Sequence, residues 1–137
     1  MFKDVALDYY RKENDLSCSE SMIKAGNEYF NLNMNEDCYK AFSGFSGGMF
    51  GNCTCGAVTS AVAILSLLYV EENGAHNSPL MKKKIGKFIE LFRKELSSTE
   101  CGPLKELHHT KEIRCQKMMA VAAELVEKVI NEKMDYE

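Results

Sequence analysis

Gly44-Phe45-Ser46-Gly47-Gly48-Met49-Phe50-Gly51-Asn52-Cys53-Thr54-Cys55-Gly56-Ala57-Val58-Thr59-Ser60 is the stretch whose reading decides the fold. Its four leading glycines mark a tightly turning loop. Two cysteines follow, then a run of small and aliphatic residues, Ala57 to Val70, too long and too rich in Ala and Leu for a strand. The run predicts a buried central helix, apolar all round, among amphipathic neighbours. The loop thus delivers Cys55 to the start of the most apolar helix in the chain. A helix N-terminus carries partial positive charge and unpaired N–H groups, and both favour thiolate over thiol. Cys55 is therefore placed for reactivity or ligation, although a small buried cysteine packed at a helix junction would occupy the same position.

Upstream, Phe2, Val5, Ala6, Tyr9 and Tyr10 fall at helical spacing and predict a helix from Phe2 to about Asn14. Ser17-Cys18-Ser19-Glu20 fits a capping box with Ser17 as N-cap. The helix it opens runs to about Asn31, with Cys18, Met22, Ala25 and Tyr29 on one face. A polar linker, Asn31 to Asp37, precedes a short helix from Cys38 to about Phe42.

Downstream, Glu71 to Pro79 reads as a loop, with Gly74 as a C-terminal cap and Pro79 opening the next helix. That helix, Leu80 to about Ser97, turns Met81, Ile85, Phe88, Ile89, Phe92 and Leu96 inward. Lys82, Lys83, Lys84 and Lys87 are expected to form a solvated face. Cys101-Gly102-Pro103 breaks the chain, leaving one helical turn between Leu104 and His108. The last helix is expected from near Thr110 to about Met134, its inward stripe running through Cys115, Met118, Met119, Ala122, Leu125, Val126 and Val129. The fold class is all-α: a single-domain bundle of four to five main helices over residues 1–137, with a Gly-rich loop before a buried central helix.

A chain of 137 residues can bury a real core as one domain. Its net charge of −3 argues against a nucleic-acid binder, which needs a basic face. Ala57 to Val70 falls short of the ~20 residues of a membrane span. The N-terminus, charged from Lys3 and lacking an apolar signal core, points to the cytoplasm. Six cysteines in a reducing compartment suggest metal ligation or redox work before a disulfide framework.

Cys18, Cys55 and Cys115 share one setting, near a helix start on an inward face, and Cys101 lies in the loop before the last helix. The four are expected to converge at one end of the bundle. Their spacing matches no zinc-ribbon or ferredoxin run, since no C-x-x-C occurs. Cys38 reads as structural, and Cys53 lies in the loop ahead of the helix dipole. His108-His109 could supply a further ligand, but adjacent histidines usually point apart. The glycine loop lacks the P-loop lysine, and the methionines read as core filler.

The order Cys18, Cys55-Gly56-Ala57-Val58-Thr59-Ser60, Cys101, Cys115 resembles a bacterial and archaeal family of redox-active proteins designated C_GCAxxG_C_C. The likeness covers nearly the whole chain and includes Cys18-Ser19-Glu20 and the glycine-rich lead-in. Ser60 stands where the family's last motif glycine would be, and Cys38 and Cys53 are additions to its four cysteines. The resemblance implies a redox role for Cys18, Cys55, Cys101 and Cys115. Similar domains occur beside haem modules, which brings an iron–sulfur cluster into view.

Three readings follow. The four cysteines hold an iron–sulfur cluster for electron transfer. Alternatively a low-pKa thiol, Cys55 first, attacks a disulfide that a neighbour such as Cys18 resolves. From a different class comes a structural zinc site on the same four thiolates, in an interaction module without catalysis. A bundle with no cofactor and merely buried cysteines ranks last. The expected partner is a redox protein, and a homodimer stays open.

Overall fold

In the computed structural model, which describes residues 1–137, seven helices and short connecting turns make an all-α fold. Only two isolated β-bridges occur, Thr54 with Glu100 and Thr110 with Arg114. Helix α1 is Phe2–Tyr9, α2 Cys18–Phe30, α3 Glu36–Ala41 and α4 Gly56–Tyr69. Helix α5 is Pro79–Leu96, α6 Cys101–His108 and α7 Gln116–Asn131. The two helices beyond the expected count are small: α3 has 6 residues and α6 has 8.

Local chemistry accounts for most boundaries. Helix α1 stops earlier than its apolar spacing predicts, because the Asn14 side-chain amide donates to the Asp8 and Tyr9 carbonyls at 3.1 and 3.2 Å. Asp15, left-handed at φ 50, then turns the chain into α2. The capping box of α2 is fully formed: Glu20 N–H donates to Ser17 Oγ at 3.3 Å, and Ser17 N–H donates to the Glu20 carboxylate at 3.0 Å. Pro79 opens α5 at its first position, where a missing N–H is harmless. Gly74 is a loop residue four positions past the α4 cap, Val70; it does not end α4 but leads into the short 3-10 turn Ala75–Asn77.

Helix α4 runs through the core. Its Ala57, Val58, Ala61, Ile64 and Leu65 are buried among residues of α1, α2, α5, α6 and α7. Gly26 of α2 has no space for a Cβ against Ile64, so these two helices pack backbone to side chain. Ser60, fully buried, donates its hydroxyl to the Ser19 carbonyl of α2 at 2.8 Å. Burial is not all-round, however. Leu67 is 49% exposed, and Val62 and Ala63 border an apolar surface groove with Phe42, Phe45 and Ile89.

Three expectations about the second half are corrected. The Cys101-Gly102-Pro103 segment does not break the chain but forms the first turn of α6. A proline in a first turn loses no helical hydrogen bond, because N–H groups there have no partner anyway. Helix α7 begins later than expected, at Gln116, because Thr110 to Arg114 folds into a turn closed by Arg114 N–H to the Thr110 carbonyl at 2.7 Å. Lys84, placed on the solvated face by periodicity, is instead fully buried.

The burial of Lys84 has a clear electrostatic cause. Its ammonium donates to the carbonyls of Val129 at 2.7 Å and Glu132 at 2.5 Å, and to the Glu137 carboxylate at 3.2 Å. Three donors thus meet three acceptors. Two of these are unpaired carbonyls at the negative end of α7. Replacing Lys84 by Met keeps the aliphatic stem and removes all three bonds. Lys84→Met is expected to destabilise the fold by about 2–4 kcal/mol. Urea unfolding followed by circular dichroism checks this, and an unchanged midpoint would mean that the lysine is solvated. No helix is long and apolar enough to cross a membrane.

Candidate functional site

Each of the four expected cysteines stands at a helix start. Cys18 is the first residue of α2 and Cys101 the first of α6, while Cys55 and Cys115 are the N-cap residues of α4 and α7. All four line one cavity of about 190 Å³. Cys115 is thus not inside α7, as its apolar stripe suggested, but at the cap. Cys101 is not a loop residue.

The glycine loop and a backbone clamp bring two of these starts together. Cys55 N–H donates to the Thr99 carbonyl at 2.8 Å, and Cys101 N–H donates to the Cys53 carbonyl at 2.6 Å. Thr54 and Glu100 pair between them. Gly48 packs under this clamp at φ +63, where a Cβ would lie 2.6 Å from the Cys53 backbone and 2.7 Å from Cys101 Cβ. Both conformation and space therefore require glycine. From Gly47 to Phe50 the chain makes a left-handed turn that includes two non-glycine residues, Met49 and Phe50. At α4 a second close approach does the same work: a Cβ on Gly56 would lie 2.8 Å from the Cys18 sulfur. The residue after Cys55 must be glycine for α2 and α4 to present their thiols side by side.

The four thiols differ in charge state. Burial pushes Cys55 up to about 11, although the N–H groups of Ala57 and Val58 at the start of α4 pull against it. Desolvation here outweighs the helix end. Burial also raises Cys101. Cys18 is raised well above the ordinary thiol range, first by its interaction with the neighbouring Cys115 and then by burial.

Cys115 moves the other way, down to about 6. The Cys18 thiol is the largest cause; the Tyr10 hydroxyl and the charges of His109 and Lys105 add to it against the cost of burial. Tyr10 holds the residue twice, since its hydroxyl also accepts the Cys115 N–H at 3.3 Å. Arg114 in turn fixes Tyr10, stacking 4.0 Å from its ring centroid and donating to its carbonyl at 2.6 Å. The thiolate therefore belongs to Cys115 and not to Cys55, where the helix start alone pointed. Cys115 is also the most accessible of the four, half-buried where the others are buried.

The remaining candidates divide. Cys38 and Cys53 are exposed and line no part of the cavity. His109 lines it, while His108 points elsewhere with a buried Nε2 that has no partner. Sequence reasoning missed Tyr10, Lys105 and Arg114. Tyr10 lies 105 residues from Cys115 and offered no local signal. Arg114 did offer one, a fixed cation adjoining a cysteine. Four thiols suit an iron–sulfur cluster or zinc as donors. As folded, however, no three Cys, His, Asp or Glu side chains are grouped to hold one ion.

The charge states predict a pH profile. Alkylation of the reduced protein by iodoacetamide should modify Cys115 with a midpoint near pH 6, becoming pH-independent above it, while Cys55 resists until near pH 11. Tyr10→Phe removes one hydrogen bond to the thiolate and should raise the Cys115 midpoint by about one pH unit. Peptide mapping by mass spectrometry reads both, and Cys55 reacting first would reverse the assignment.

No curated protein and no solved structure matches this chain. The sequence model of the family described as "Putative redox-active protein (C_GCAxxG_C_C)" matches residues 16–129. That span contains all four cavity cysteines, and the chain belongs to this redox-active family.

Proposed function

We propose that the protein carries out thiol–disulfide exchange, with Cys115 as the attacking thiolate and Cys18 as the resolving thiol. One observation carries this reading: Cys115, half-buried and held towards the thiolate, lines the same cavity as the buried Cys18 thiol, which is raised towards its protonated form. A low-pKa thiol beside a protonated partner is the arrangement that exchange requires.

Cys115 sulfur bonds to one sulfur of a substrate disulfide and the substrate S–S bond breaks. The departing thiolate takes the proton of Cys18. The Cys18 sulfur then attacks that of Cys115, releasing the second substrate half as a thiolate, which takes a proton from solvent. The substrate is reduced to two thiols and the protein holds a Cys18–Cys115 disulfide. In the cytoplasm a dithiol reductant protein would return the pair to thiols. Cys55 and Cys101, both raised towards the protonated form, make a second dithiol on the same cavity.

The second reading is a metal centre on Cys18, Cys55, Cys101 and Cys115, favoured by the placement of all four thiols on one cavity. A cluster bound there would supply one-electron transfer. Zinc would supply structure alone. Either needs the sulfurs drawn closer than they stand.

Treating anaerobically purified protein with hydroxyethyl disulfide separates these readings. Wild type should lose two thiols reversibly without a lasting adduct. Cys18→Ser should trap a mixed disulfide on Cys115, and Cys115→Ser should do neither. Stoichiometric iron with a visible absorption band would replace exchange by the cluster, and colourless stoichiometric zinc by the structural site.

A further inference from the structure

The wall of the thiol cavity is unevenly charged. Lys105, His109 and Arg114 line it, and no aspartate or glutamate does. The chain as a whole carries a charge of −3, so this is a local reversal. None of the three basic groups takes part in an ion pair; the salt bridges all lie elsewhere. Glu106 and Glu112 are close in sequence, yet neither reaches the cavity.

Arg114 is held in place without being neutralised. Its Nη2 donates to the Tyr10 carbonyl at 2.6 Å and its plane stacks on the Tyr10 ring, while its Nε is buried without a hydrogen-bond partner. Its backbone lies at φ 53, uncommon for a long side chain and stabilised here by the turn from Thr110. A fixed guanidinium with unused donors and no carboxylate partner is a receptor for a carboxylate or oxyanion. Charge counting agrees: one thiolate offsets one of the two fixed cations, Lys105 and Arg114, and leaves one positive charge over. The starts of α2, α4, α6 and α7 add to it.

We propose that the site serves small disulfides that carry carboxylate groups, with Arg114 and Lys105 holding a carboxylate while the sulfur–sulfur bond faces Cys115. This rests on the exchange chemistry proposed above and specifies its substrate class. The cavity, about 190 Å³, suits a low-molecular-weight disulfide. Atoms and electrons balance as before: one substrate disulfide, the Cys115 thiolate, the Cys18 thiol and one proton from solvent give two carboxylate-bearing thiols and one Cys18–Cys115 disulfide.

Three small disulfides of different charge test the idea on the reduced full-length chain at low salt: dithiodiglycolate (anionic), hydroxyethyl disulfide (neutral) and cystamine (cationic). Loss of protein thiols is timed for each, and every rate is divided by that of the neutral probe, which removes effects on the thiolate itself. The expected result is a preference of about tenfold or more for the anionic over the cationic probe, falling steeply with added salt. Lys105→Gln should shrink that ratio and Lys105→Glu should invert it. Lys105 is exposed, so these variants stay informative even if Arg114→Gln fails to fold. Equal ratios for all probes, or a faster cationic probe, would overturn the substrate class and leave exchange standing. No reaction with any probe would overturn the exchange reading and this inference with it.

Discussion

Two backbone hydrogen bonds, from Cys55 to Thr99 and from Cys101 to Cys53, hold the chemistry of this protein together. They tie the start of α4 to the start of α6, two helices that share no sequence neighbourhood. Gly48 makes the clamp possible, because the Cys53 backbone and the Cys101 side chain leave no space for a Cβ. Gly56 does the same between α4 and the Cys18 sulfur. Four helix starts reach one cavity because the backbone at two points has been stripped to its minimum. The left-handed Met49 and Phe50 show the strain that accompanies the tight path, of order 1–3 kcal/mol per residue.

Position at a helix start does not by itself decide which thiol ionises. Cys55 has N–H groups of α4 directed at its sulfur and still stays protonated, since burial removes more than those groups return. Cys115 ionises because neighbours from three parts of the chain converge on it: Cys18, Tyr10, and the pair Lys105 and His109. Specific partners outweigh the general field.

This contrast explains what could be read from the sequence. The class, the capping box at Ser17, the central α4 and the helix-start setting of Cys18 and Cys55 were legible because each rests on local pattern or local chemistry. The helical character of Cys101-Gly102-Pro103 was hidden by proline, whose usual role as a breaker lapses in a first turn. Lys84 was misplaced because periodicity counts lysine as polar without asking whether its hydrogens have partners, and here the end of α7 supplies them. Tyr10 was illegible in principle, its role arising from a contact across most of the chain. Which cysteine ionises was equally out of reach.

The seat of Lys84 bears on how the chain is made. Its acceptors are synthesised 45 to 53 residues after the lysine itself. Until they leave the ribosome, the ammonium must stay hydrated, and α5 cannot dock flat against its neighbours. The Cys18 and Cys115 sulfurs wait in the same way, since Cys115 is translated nearly a hundred residues after Cys18. Final consolidation of the core therefore waits for the segment after α7 to emerge. A growing chain exposes Cys18 and Cys55 well before Cys115 is made, and their protection in that interval falls to the reducing power of the cell.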